Sequence, residues 1–140
     1  MAWYVLSSTY FDFDRFERDA KADRSPAHVL PRVAERLGTK VHQPAESPGE
    51  VGLLDRIGAL IYGQAIHWQQ ARRLLPELRS GDAVYAAGDD SGIPLALLCA
   101  MRRRNVDFAI SVIDATRPRT RLVGWLLVLL RIRLLLIVPT

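Results

Sequence analysis

The chain predicts an α/β fold: a doubly wound, mainly parallel sheet of about five strands with right-handed crossovers. Three observations carry this expectation. Short apolar runs rich in strand-forming residues alternate along the chain with stretches of helical spacing. The first run starts at Trp3, ends in the Ser7-Ser8-Thr9 turn and is apolar throughout, as suits an interior parallel strand covered on both faces. The stretch Ala83 to Leu98 reads in one pass as a strand, a polar turn with two glycines and a helix of buried spacing, the unit from which such sheets are built.

After the first strand, Tyr10 to Arg24 interleaves Tyr10, Phe11, Phe13 and Phe16 with acids and bases, either a loop over the sheet edge or an irregular helix start. Ser25-Pro26 opens a helix that runs to about Leu37 with Val29, Leu30, Val33 and Leu37 on one face and Gly38 as its stop. Lys40 to Gln43 is a short second strand, and Pro44 to Gly49 a connection. From Leu53 to about Leu78 the pattern is one long helix whose apolar face is Leu54, Ile57, Leu60, Ile61, Ala65 and Trp68, with Gly58 and Gly63 as points of close packing or kinking.

The central unit begins at Gly81 and ends near Arg104-Asn105. Ser91 or Asp90 can cap its helix, Pro94 suits the first turn, and Gly88 and Gly92 let backbone come close to another group. Phe108 to Ile113 is a further strand, followed by the polar turn Asp114 to Arg119. The run Leu122 to Val138 is nearly all apolar. As a membrane span it would bury Arg131 and Arg133 at about 2.5–3.5 kcal/mol each, so it divides into a buried helix, Thr120 to about Leu130, and a last strand, Ile132 to Val138.

At 140 residues and 49% hydrophobic content the chain fits one globular domain, residues 1–140. A single cysteine, Cys99, falls among apolar neighbours, which excludes a disulfide framework and points to packing in a reducing, cytoplasmic setting. The opening residues lack the basic start and long apolar run of a signal peptide. Net charge is +4, and Arg102, Arg103, Arg104, Arg117, Arg119, Arg121, Arg131 and Arg133 load the last third. A basic face can meet nucleic acid, an anionic membrane surface or phosphorylated substrates; without a helix-turn-helix, zinc-finger or aromatic RNA-binding signature, nucleic acid is set aside. His28, His42 and His67 stand on separate elements without ligand spacing, so no metal is expected, and His67 beside Trp68 reads as a helix-surface pair. No phosphate-cradling glycine loop is present, and no cofactor is expected.

From Gly81 onward, the segment Gly81-Asp82-Ala83-Val84-Tyr85-Ala86-Ala87-Gly88-Asp89-Asp90-Ser91-Gly92-Ile93-Pro94-Leu95-Ala96-Leu97-Leu98, the strand Phe108 to Ile113 and the closing Leu136 to Thr140 resemble the N-terminal, Rossmann-like domain of GT-B glycosyltransferases. The family in question includes sucrose-phosphate synthase and many retaining hexosyltransferases; the first half of the chain agrees with it in order of elements. The resemblance implies the acceptor-holding half of a two-domain transferase, whose second half holds the nucleotide sugar and supplies the paired acidic motif and the phosphate-binding basic residues. That half does not follow Thr140, so the chain is expected to be truncated and inactive alone. Two departures stand out: Ser7-Ser8-Thr9-Tyr10 lacks paired glycines, and Asp114-Ala115 stands where many members place a histidine and an asparagine.

Candidate substrate-binding residues follow from position and chemistry, while no catalytic residue is nominated. Asp89 and Asp90, with Ser91 and Gly92, lie in a turn at the carboxyl edge, where a carboxylate can act as acid or base or hold a sugar hydroxyl. Helix capping and solvation are the competing roles for that pair. Asp114 ends the next strand, and Arg117 and Arg119 flank Pro118 as a clamp for an anionic acceptor or a solvated basic loop. The expected partners are a sugar acceptor and a separate donor domain. The rival expectation is a non-catalytic module that docks on a protein or an anionic membrane, peripherally, through its basic, apolar C-terminal segment; that same segment favours self-association.

Overall fold

Parallel pairing joins five short strands into one sheet in the computed structural model, which describes residues 1–47, 49–112, 114 and 116–138. The strands are β1 (Trp3–Leu6), β2 (Val41–His42), β3 (Ala83–Ala86), β4 (Asp107–Ser111) and β5 (Arg133–Ile137), arranged β2-β1-β3-β4-β5. Between them run α1 (Phe13–Lys21), α2 (Val29–Arg36), α3 (Leu53–Ile61), α4 (Ala65–Leu74), α5 (Asp89–Met101) and α6 (Pro118–Leu129). Pro48, in the connection after β2, lies outside the described residues, as do Ile113, Ala115, Pro139 and Thr140 of the expected fourth strand, its turn and the closing segment.

Register decides the two faces. Tyr4, Val84, Phe108 and Leu134 stand in one row across the sheet, so they share a face, while Val5, Tyr85, Ala109 and Leu135 share the other. On the first face Leu6, Val84, Ala86, Phe108 and Ile110 form the main core with Leu74 of α4, Ile93 and Leu95 of α5, and Leu127 of α6. On the second, Val5 meets Leu30 and Ala34 of α2. Helices on both faces make the sheet doubly wound and Rossmann-like, as the alternation of elements predicts. Buried Cys99 belongs to the main core, and desolvation pushes its thiol up to about 12.

One open expectation is resolved, in favour of a helix, and several others change. The aromatic stretch after β1 holds a true helix, α1, whose first turn is capped by Asp12 accepting the Arg15 N–H at 3.0 Å. The next helix starts at Val29 and not at Ser25-Pro26; His28 is its cap, its Nδ1 accepting the Leu30 N–H at 3.2 Å. The single long helix is two. Tyr62 turns extended, Gly63 takes φ +65°, a left-handed conformation open to glycine, and Trp68 folds back to donate Nε1–H to the Tyr62 carbonyl at 2.7 Å. A Cβ on Gly58 would overlap the Trp68 ring, so only glycine lets α3 lie this close to α4.

The break also reverses α3. Asp55 is buried at 2% exposure and receives a two-pronged bond from Arg72 of α4, Nε to Oδ1 at 3.0 Å and Nη2 to Oδ2 at 2.8 Å, while Leu53, Leu54, Ile57, Leu60 and Ile61 face outward. The apolar stripe read as core is the outer side of this helix. The helix expected to be buried near the C-terminus, α6, buries Thr120, Val123 and Leu127 and exposes Leu122, Trp125, Val128 and Leu129. Beyond it β5 is the sheet edge, with Leu135 62% exposed.

The bond from Arg72 holds the Asp55 carboxyl below its ordinary value of 3.8. A depressed folded pKa adds stability that is full above the unfolded value and lost as pH falls through the folded one. Because Arg72 is half exposed, Asp55→Asn should cost about 1–3 kcal/mol at neutral pH, less than a fully buried pair. Urea denaturation of both proteins should show that difference shrinking as the pH is taken below 3.8.

Candidate functional site

In the order β2-β1-β3-β4-β5, the chain leaves β1 toward one edge and leaves β3 toward the other, so the loops after these neighbouring strands diverge and open a crevice at their carboxyl ends. One wall is the Ser7-Ser8-Thr9 turn after β1. The other is Gly88 and the first turn of α5. They meet where the Ser8 and Ser91 hydroxyls lie 3.0 Å apart, and Ser91 also donates to the Gly88 carbonyl at 3.1 Å.

The turn after β1 is held from below by α4. Carbonyls at a strand end need donors once buried, and two residues one helical turn apart supply them. His67 Nε2–H donates to the Ser8 carbonyl at 2.9 Å; Gln70 Nε2 donates to the carbonyls of Ser7 at 3.0 Å and His42 at 3.1 Å. His67 and Trp68 are therefore both buried and not the surface pair expected.

α5 seats on the sheet through Gly92, where a Cβ would stand 2.8 Å from the Ala86 Cβ and 2.9 Å from Ile110. Its N-cap is Gly88, and no side-chain oxygen accepts from the first-turn N–H groups: Ser91 donates to the Gly88 carbonyl and does not cap the helix, and Pro94 sits in the second turn, not the first. With no N–H, Pro94 leaves the Asp90 carbonyl without its usual helical partner. Asp89 is engaged on the other side: the Tyr62 hydroxyl donates to its carboxylate and lies 3.1 Å from the Thr120 hydroxyl, joining the ends of α3, α5 and α6. Burial first, then the bond to Asp89, raises the Tyr62 pKa far above its ordinary 10.0, so the phenol stays a proton donor.

The crevice opens into a depression of about 530 Å³ between the loops after β1 and β2 and the starts of α4 and α5. Its polar lining is Ser8, Thr9 and Tyr10 after β1, Glu46 after β2, Gln64 and His67 at the start of α4, and Asp90 in the first turn of α5. Glu46 is close enough to the Tyr10 phenol to raise its pKa. Of the residues nominated from sequence, Asp90 alone lines this depression among the described residues; Asp89 and Ser91 are bonded within its wall, and Gly92 is packed against the sheet. Asp114 stands one βα unit along the same edge. Its carboxylate accepts the Thr116 hydroxyl at 2.6 Å and N–H at 3.0 Å and lies 3.5 Å from Arg117 Nε, and those Thr116 bonds, chiefly, lower its pKa. Arg117 caps α6, and Arg119 is exposed in its first turn.

Sequence reasoning missed Tyr10, Glu46, Tyr62, Gln64 and His67 as site residues. The Ser7-Ser8-Thr9 turn carried a usable signal, since polar residues ending a first strand face the third strand's turn in this topology. Tyr62 carried none, because its partners are far along the chain. Among the described residues no group of three or more His, Cys, Asp or Glu side chains is placed to hold a metal ion. What the depression offers is hydrogen-bonding chemistry: two acceptor carboxylates, three hydroxyls, one of them the Tyr10 phenol, and an amide, the last two kinds able to donate or accept.

Tyr62→Phe removes the donor that ties Asp89 to Thr120, leaving polar groups partly unpaired. Chemical denaturation should show a loss of about 1–3 kcal/mol. No family model matches the chain, and neither a curated protein nor a solved structure shows significant similarity to it.

Proposed function

We propose that this chain is the acceptor-side domain of a GT-B hexosyltransferase, holding a hydroxyl-rich acceptor between β1 and β3 while a separate domain carries the nucleotide sugar. The observation that carries this reading is the convergence of Ser8, Thr9, Glu46, Gln64 and Asp90 beside Tyr10 in one depression. A carboxylate accepts several hydrogen bonds at once, which suits neighbouring hydroxyls on a sugar ring, and a hydroxyl or amide completes the set by donating or accepting. His67 and Gln70 hold the Ser7-Ser8 backbone in place before a ligand arrives, so little ordering remains at binding. Asp114, Arg117 and Arg119, at the next turn of the same edge, suit an anionic substituent such as a phosphate on the acceptor. In this reading the domain positions the acceptor, and the bond at the anomeric carbon is made with groups of the donor domain.

Amide-resolved NMR titration with hexoses, hexose phosphates and nucleotide sugars tests the proposal. A hexose or hexose phosphate should shift Ser8, Thr9, Gln64 and Asp90, and Asp90→Asn should weaken that binding about tenfold, the worth of one hydrogen bond to a charged group. A panel that leaves those amides unmoved, or a nucleotide sugar that occupies the crevice in place of the acceptor, would overturn it.

A further inference from the structure

Two helices present apolar stripes that the core does not use. On α3, Leu53, Leu54, Ile57, Leu60 and Ile61 recur at the spacing of one helical face, and that face is outward, Leu54 at 71% and Leu60 at 80% exposure. A helix with such a stripe ordinarily turns it inward. Here the reverse orientation is enforced by the bidentate bond from Arg72 to buried Asp55 and by the Gly58 contact with Trp68. On α6, Leu122, Trp125 and Leu129 form a second outward stripe, with Trp125 63% exposed. The end of α3 and the start of α6 are tied through Tyr62 and Thr120.

Charge selects the occupant. From Thr116 to Val138 the chain carries Arg117, Arg119, Arg121, Arg131 and Arg133 and not one acidic residue, and all five are exposed. Asp114 and Asp107 lie beside Arg117 and Arg133; Arg119, Arg121 and Arg131 have no acidic partner among the described residues. Arg56 adds a further exposed cation on α3. A symmetric pair of such surfaces sets like charges face to face, whereas an anionic lipid surface attracts the same arginines and takes up the apolar side chains between them.

We propose that α3 and α6 form a docking surface for an anionic bilayer, lying in the headgroup boundary with Leu54, Leu60, Trp125 and Leu129 inserted and Arg121 and Arg131 on lipid phosphates. No helix among the described residues is long and apolar enough to cross a membrane, so the attachment is to one surface. This inference is independent of the acceptor reading, because none of these side chains lines the crevice.

Co-sedimentation with phosphatidylcholine vesicles, with and without phosphatidylglycerol, tests it, together with tryptophan emission in a Trp3→Phe background, which leaves exposed Trp125 as the reporter and buried Trp68 as a constant. The intact protein should bind the anionic vesicles, blue-shift its emission and detach as salt is raised. Leu54→Asp with Leu60→Asp, Leu129→Asp, and Arg121→Glu with Arg131→Glu should each weaken binding at least about tenfold while circular dichroism and the urea midpoint stay unchanged. No vesicle binding, equal binding to neutral vesicles, or undiminished binding by the variants would overturn the proposal. So would a dimer in sedimentation equilibrium that the leucine variants dissociate while vesicles remain free.

Discussion

The pairing of β1 with β3, with β2 outside them, is the constraint on which the rest of the molecule depends. It obliges the chain to run out to the edge, return across the first face as α3 and α4, and re-enter the sheet beside its own first strand. Two loops then diverge at one edge, and a crevice follows from connectivity alone. The approach of α5 completes it: with Gly92 against Ala86 and Ile110, the helix start comes down to the level of the Ser8 turn, near enough for Ser8 and Ser91 to meet.

Polar groups inside the fold place its loops. His67 and Gln70 take up the carbonyls after β1 and β2, and Asp82 accepts the backbone N–H groups of Ala2 and Arg79 at the entry to β3. Arg104 donates to the carbonyls of Leu75 and Leu78 just beyond α4, so one arginine of the basic Arg102-Arg103-Arg104 run serves as a cap and not as a free charge. Unpaired, any of these backbone groups would cost more than a typical contact returns, which makes the arrangement specific as well as stable.

Coverage of the sheet is uneven, and the proposed functions divide along that unevenness. The crevice lies where α4 and α5 pack closely and polar side chains converge; the proposed docking surface lies where α3 and α6 leave apolar side chains in the open. Tyr62 belongs to both regions, ending α3, bonding Asp89 at the start of α5 and reaching Thr120 of α6.

The strands from Trp3, Ala83 and Arg133, the helix after Gly88 and the parallel alternation were all legible along the chain, because apolar runs, turn residues and periodicity are local properties. The position of Asp90 and of the Ser7-Ser8-Thr9 turn at the ends of strands was legible in the same way, since turn residues mark where strands stop. Local pattern says that α3 has an apolar side; it does not say which way that side turns, and the Asp55 to Arg72 bond and the Gly58 to Trp68 contact decided it from α4. The break at Tyr62-Gly63, the burial of His67 and the union of Ser8 with Ser91 likewise join residues separated along the chain. Periodicity is written residue by residue, whereas the direction a helix faces is settled by the partner it meets across space.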